Sequence, residues 1–205
     1  MNQPAILLVG AGGHTRACIE VIEQEGRYAI AGLVGMPVEV GETVLGYPVL
    51  GGDAELPALR ERCSNALITL GQIQSPEARI RLFSLLERLC FSLPVVVSPR
   101  GHVSRHASLG PGSIVMHGAI VNACARVGRN CILNSRALVE HDAVIEDHCH
   151  ISTGALVNGG ARVGAGSFVG SGSVLREGIA LGERSLVGMG LVVRKSHPAQ
   201  SRIIR

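Results

Sequence analysis

From Val103 to Val193 every sixth residue is Val, Leu or Ile, sixteen positions without a break. Four places after each of the first fifteen stands a small residue: Ala107, Ser113, Ala119, Ala125, Cys131, Ala137, Ala143, Cys149, Ala155, Ala161, Ser167, Ser173 and Ser185, with Ile179 and Leu191 as exceptions. One large and one small inward residue per hexad describes a short flat face and a tight corner. Three such faces close an 18-residue triangular turn, and turns of this kind bury their interiors only by stacking. The spacing therefore predicts a parallel β-helix of about five coils over residues 103–193, with residues 18 apart as stacked neighbours. Glycine follows the aliphatic residue at 110, 128, 164, 170, 182 and 188, where the expectation is a corner needing permissive φ.

The first hundred residues follow another grammar. The apolar run AILLV at 5–9 leads into Gly10-Ala11-Gly12-Gly13-His14 and then a helical pattern through Ala17, Ile19, Val21 and Ile22. Further strands fit 28–34 and 66–70, and a helix fits 76–90. Alternating β and α elements predict a small parallel-sheet, Rossmann-like domain over residues 1–97, followed by the β-helix domain over 98–205.

Composition narrows the class of function. With aromatic residues at 2% the core must be aliphatic, and 27 glycines without a G-X-Y period exclude collagen. No apolar stretch is long enough for a membrane helix, and MNQPAILLVG has no basic segment ahead of its apolar run, so the expectation is a cytoplasmic protein without a membrane partner. A net charge of +3 without a basic run argues against nucleic acid but suits phosphorylated small molecules. Six cysteines without a CxxC pair are expected to be free, buried thiols.

The hexad has the form [LIV]-G-x-x-[STAC]-x, and it is joined by GAGGH at 10–14, LGYPVLGG at 45–52, Ser98-Pro99 followed by VSRHASLGPG, and VEHDAVIEDHCHIS at 139–152. On these motifs the chain resembles the left-handed β-helix sugar acetyltransferases, the family of bacillosamine and perosamine N-acetyltransferases and sialic acid O-acetyltransferases. The resemblance implies acetyl-CoA as co-substrate, a homotrimer with active sites between neighbouring β-helices, and a nucleotide sugar held by the N-terminal domain. It also implies roles for single residues. His141 of the Glu-His-Asp motif is the general base, steadied by Asp142, and the Gly159 main-chain amide is the oxyanion donor. His150, Gly159, Gly188 and Gly190 contact CoA, and Gly71 matches a substrate-side glycine.

The residues support the same chemistry independently. Acetyl transfer from a thioester needs a base that titrates near neutrality and donors for the oxyanion, and histidine is the natural base. Gly159 lies 18 residues after His141, hence one coil above it. A glycine turn between strand and helix presents amides to a diphosphate, which makes Gly10, Gly12, Gly13 and His14 candidate substrate contacts. Nicotinamide binding is disfavoured, because Thr15 replaces the third glycine of GxGxxG and Leu33-Val34-Gly35 ends the second strand without an acid. Gln72 stands where relatives commonly carry Asp.

Three readings compete at this stage. The leading one is N-acetylation of a nucleotide-linked amino sugar in bacterial surface glycan biosynthesis. The second is O-acetylation of a sialic-acid-like sugar, and the third is a non-catalytic trimeric scaffold. A zinc enzyme would need His117, His141 and His150 to converge, and their spacing does not favour it, so no metal is expected.

Overall fold

The computed structural model describes residues 3–204. The N-terminal domain is built from β1 (Ala5–Val9), α1 (Gly13–Glu25), β2 (Ala29–Val34), β3 (Thr43–Val44), β4 (Tyr47–Gly51), α2 (Leu56–Arg62), β5 (Asn65–Ile68) and α3 (Glu77–Arg88). Its sheet runs β3-β4-β2-β1-β5, parallel except for β3, which pairs antiparallel with β4. The expected small parallel sheet is present in β4-β2-β1-β5, and the two-residue β3 adds an antiparallel edge to it. The two-residue strand β3 is too short to give a periodic signal, and β4 carries Pro48 and Gly51, which blur its alternation.

Helix α1 buries Cys18, Ile19, Val21 and Ile22 between the sheet and the β-helix, against Ile6, Leu8 and Leu33 on one side and Val96, Ile114 and Ile132 on the other. Helices α2 and α3 cover the opposite face through Leu56, Leu82, Phe83 and Leu86. The two domains therefore share a continuous aliphatic core.

The rest of the chain is a left-handed parallel β-helix of two-residue strands. Seven strands from Val96–Val97 to Arg202–Ile203 stack on the face docked to the N-terminal domain. Six from His102–Val103 to Val192–Val193 form a second face, and five from Ser108–Leu109 to Ala180–Leu181 a third. Up to the last turn each strand pairs with the one 18 residues on, as Ile120 with Leu138 and Arg126 with Val144. The hexad aliphatics and their small partners from Val115 to Val193 make one buried column. The coil starts earlier than the hexad count implied, at Val96, and its last turn is two residues short: Leu181 bridges His197 and Val187 pairs with Ile203.

The corner glycines have a different cause from the one expected. Gly110, Gly128, Gly164, Gly170, Gly182 and Gly188 are not among the positive-φ residues. At most of them a Cβ would collide with the backbone of the coil above, 2.4 Å from Glu183 N at Gly164 and 2.2 Å from Ala199 N at Gly182. Left-handed φ falls instead two residues later, at Gly112, Gly118, Gly154, Gly160, Gly166, Gly172, Gly178 and Gly190, and there Cys124, Asn130, Arg136, Asp142, His148 and Arg184 also adopt it. Cys90 and Cys124 are exposed, contrary to the reading of six buried thiols, because both occupy left-handed turn positions outside the packed column. Cys18, Cys63, Cys131 and Cys149 are buried and free as expected.

Candidate active site

His141 lies at the corner between the second and third faces, in the turn that follows Leu138–Val139. Asp142 adopts φ +61°, a conformation that Asp tolerates better than most residues. This swings its carboxylate back onto the neighbouring ring: His141 Nδ1 donates to Asp142 Oδ2 at 2.9 Å. The bond fixes the tautomer, leaves Nε2 as the free base, and raises the imidazole pKa above its ordinary value. The turn is braced from below. Asn122, one coil down, donates to Glu140 Oε2 at 2.9 Å, and the same oxygen accepts the His141 amide at 3.1 Å.

The His141 ring spreads over Gly159, one coil above. A Cβ there would lie 2.7 Å from both Cε1 and Nε2. Among the described residues the Gly159 amide has no backbone acceptor, so its N–H is open beside the basic nitrogen.

The other candidate residues gather elsewhere, around two cavities. The larger, about 970 Å³, opens at the carboxyl ends of β1, β2 and β4 and is lined by Gly10, Gly12, Gly35 and Gly52 together with Asp53 and Arg81, which are paired at 2.8 Å. Ligands bind α/β sheets at these strand ends. Gly10 has φ +132°, and a Cβ on it would stand 2.9 Å from Leu70 N, whereas those of Gly12 and Gly13 would face open space. Thr15 serves where the third fingerprint glycine is missing, its hydroxyl bonding Thr69 Oγ1 at 3.2 Å and closing α1 onto the end of β5.

The second cavity, about 650 Å³, lies between the domains. His14, Gly71 and Gln72 form its roof, and Asn134, His150, Ser152, Phe168 and Gly188 its floor. His150 is buried: Nδ1 donates to the Gln72 carbonyl at 2.7 Å and Nε2 accepts from the Asn134 amide at 3.1 Å. Burial lowers its pKa to about 4 and that of His14 to about 3, so both rings are neutral at physiological pH. His14 and Gly71 are thus brought together with His150 and Gly188. Gly13 and Gly190 line neither cavity. His141 and Asp142 also lie outside both, on a different corner of the prism.

Sequence reasoning missed several participants. Asn122 and Asn134 were accessible through the 18-residue register, which places the first beneath Glu140. Arg79 was not accessible. It is fully buried in α3, donating to Leu70 O at 2.6 Å and to Asn130 Oδ1 at 2.6 Å in the β-helix, with no carboxylate paired to it among the described residues. Only the packing of the two domains reveals that contact. His117 is held by Ser98 at 2.6 Å, and among the described residues no group of three or more His, Cys, Asp or Glu is placed to hold a metal ion.

A hexad coil with a histidine–carboxylate pair at one corner, docked on an α/β domain with a cavity at its strand ends, defines a hexapeptide-repeat acyltransferase. The PglD N-terminal domain model matches residues 5–84, and the hexapeptide repeat of succinyl-transferase matches residues 160–195. A histidine-to-asparagine mutant of perosamine N-acetyltransferase from Caulobacter crescentus, in complex with CoA and GDP-perosamine, is 31% identical with a TM-score of 0.91, over 98% of this chain and 93% of that one. PerB from the same organism, with the same two ligands, is 32% identical with a TM-score of 0.90, over 97% and 92%. The acetyltransferase domain of PglB from Neisseria gonorrhoeae, in complex with acetyl coenzyme A, is 29% identical with a TM-score of 0.88, over 96% and 94%. No curated protein matches the sequence. The chain belongs to the family of acetyl-CoA-dependent sugar acetyltransferases that join a PglD-type N-terminal domain to a left-handed β-helix.

Proposed function

We propose that the chain N-acetylates the amino group of a nucleotide-linked amino sugar, in the cytoplasm and for surface glycan assembly, with His141 as general base. The observation that carries this reading is the His141–Asp142 pair seated over Gly159. The neutral sugar amine attacks the thioester carbonyl, His141 Nε2 takes the proton that the amine sheds, and Asp142 stabilises the resulting imidazolium. The Gly159 amide faces the oxygen that gains charge. Collapse of the tetrahedral species breaks the C–S bond, and the proton neutralises the departing thiolate. The relatives solved with both CoA and GDP-perosamine include variants that replace a histidine.

The active unit in this reading is a homotrimer. His141 and the interdomain cavity occupy different corners of one prism, so a second copy must bring its base to the first copy's cavity. The second face suits such packing: five of its six outward residues, Ile120, Leu138, Leu156, Val174 and Val192, are aliphatic, His102 at the first coil being the exception, and Ile120 and Val192 are exposed in the single chain. The third face presents Ser108, Arg126, Val144, Arg162 and Ala180 instead. His150 and Gly188 would lie along the pantetheine arm, and Gly10 and Gly12 along the diphosphate.

The test is thiol release from acetyl-CoA in the presence of GDP- and UDP-linked amino sugars and free nonulosonates. His141→Ala is expected to lose about 100-fold or more in kcat/KM, the scale of a general base, with Tm within a few degrees of the parent. Turnover with nonulosonates alone, giving an ester that mild alkali removes, would make the protein an O-acetyltransferase. A monomer in light scattering at micromolar concentration would refute the trimer.

A further inference from the structure

We infer that Gln72 and His14 read a neutral hydroxyl of the acceptor's sugar ring in the interdomain cavity, a specificity role that rests on the acetyltransferase reading above. The cavity lining contains no Asp, Glu, Lys or Arg. Charge complementarity therefore cannot select its occupant, and hydrogen-bond complementarity must.

Two buried polar atoms in its roof have no partner among the described residues, Gln72 Oε1 and His14 Nε2. Such orphans are rare in native structures and call for an explanation. Gln72 is 4% exposed, and its orientation is set by its own amide nitrogen, which donates to Gly166 O at 3.2 Å and faces Ser167 O at 3.5 Å. Turning the amide over would set its oxygen against those two carbonyls. The acceptor end is thereby committed to the cavity side.

A hydroxyl can answer both atoms, giving its hydrogen to Gln72 Oε1 and, with His14 in its Nε2–H tautomer, receiving one from that nitrogen. A carboxylate has no hydrogen for Gln72, and an ammonium has no lone pair for His14. Hydroxyls reach this region from two sources, the acceptor's ring and the pantetheine arm of CoA. Both reading residues belong to the N-terminal domain and flank the glycine turn that opens onto the larger cavity, whereas the residues expected along pantetheine lie in the floor. The acceptor is the source that fits.

Calorimetric titration separates the possibilities without turnover. The probes are GDP-perosamine with GDP, a UDP-linked amino sugar with UDP, and CoA. The parent protein is expected to bind one sugar nucleotide more tightly than its nucleoside diphosphate. Gln72→Met should weaken that sugar nucleotide about tenfold, the worth of a hydrogen bond to an uncharged group. The bare nucleotide and CoA should stay within about twofold of the parent. Because Gln72 also anchors the domain interface, His14→Leu is measured beside it with the same expectation, and the melting temperatures of both report their folding. Equal weakening of sugar nucleotide and bare nucleotide, weakening of CoA instead, or a parent protein with no gain from the sugar in either pair overturns the inference. Thiol release reports separately on the acetyltransferase reading.

Discussion

His141 shows how little a base needs when its neighbours are placed by a repeat. The carboxylate at position 142 comes from the next residue, turned back by a left-handed φ that Cys124, Gly160 and Gly178 share at the same corner of neighbouring coils. Asp142→Asn should therefore keep the turn but remove the charge that raises the imidazole pKa. Since activity rises with pH as His141 loses its proton, the acid limb of kcat/KM should move to lower pH, and the plateau should fall because the imidazolium loses its support. Gly159→Ala tests the partner above. Its Cβ would occupy space 2.7 Å from the ring, so His141 must rotate away, and the expected loss of about 10- to 100-fold should fall on kcat with little effect on stability. The buried imidazoles act on the fold instead. His14 and His150 have folded pKa values of about 3 and about 4, below the unfolded value of 6.5. Their stabilising neutrality is present above pH 6.5 and is lost as pH falls from there towards 4 for His150 and 3 for His14, because the unfolded chain takes up protons that the native one refuses. Tm should drop across that window, and His150→Gln, which cannot titrate, should start lower at pH 7 and show a flatter slope.

At the scale of the element, the hexad settled the β-helix almost completely. Period six fixes which residue points inward, and inward packing fixes the register, so strands from 102 to 193 could be placed by counting. What counting could not separate was the reason for each glycine. Two kinds alternate, one making room for the coil above and one supplying a left-handed turn, and both stand in the same corner of the pattern. Substitution distinguishes them. Gly182→Ala pushes a Cβ to 2.2 Å from backbone and should cost about 1–3 kcal/mol, as overpacking does. Gly178→Ala has open space around it and left-handed φ, and should cost about 1 kcal/mol. Chemical denaturation midpoints measure both. The N-terminal domain was less legible because β3 is short and Arg79 finds its partner 51 residues away in the other domain.

For the whole molecule, the candidate site was legible in kind but not in arrangement. His141 could be singled out by its motif and Gly159 by stacking, and the glycine turn by its place between strand and helix. That His14 and Gly71 would share a cavity with His150 and Gly188 depends on α1 being clamped between sheet and coil, with the aliphatic residues of both domains forming one core. No local pattern carries that information. The coil, by contrast, propagates by simple translation, and its two-residue shortening at His197 marks where translation stops.

The separation of His141 from the interdomain cavity has a genetic consequence. If each site borrows its base from the next copy, two dead proteins can rescue one another. A His141→Ala chain retains an intact cavity, and a chain with Gly188→Trp, its cavity filled, retains an intact base. Neither alone should turn over, yet unfolding and refolding them together in equal amounts seats a good base against a good cavity at about a quarter of the interfaces. Mixed samples should then recover about a quarter of the parental rate, whereas samples combined without subunit exchange should stay silent. A site assembled within one chain would give no rescue at any mixing ratio.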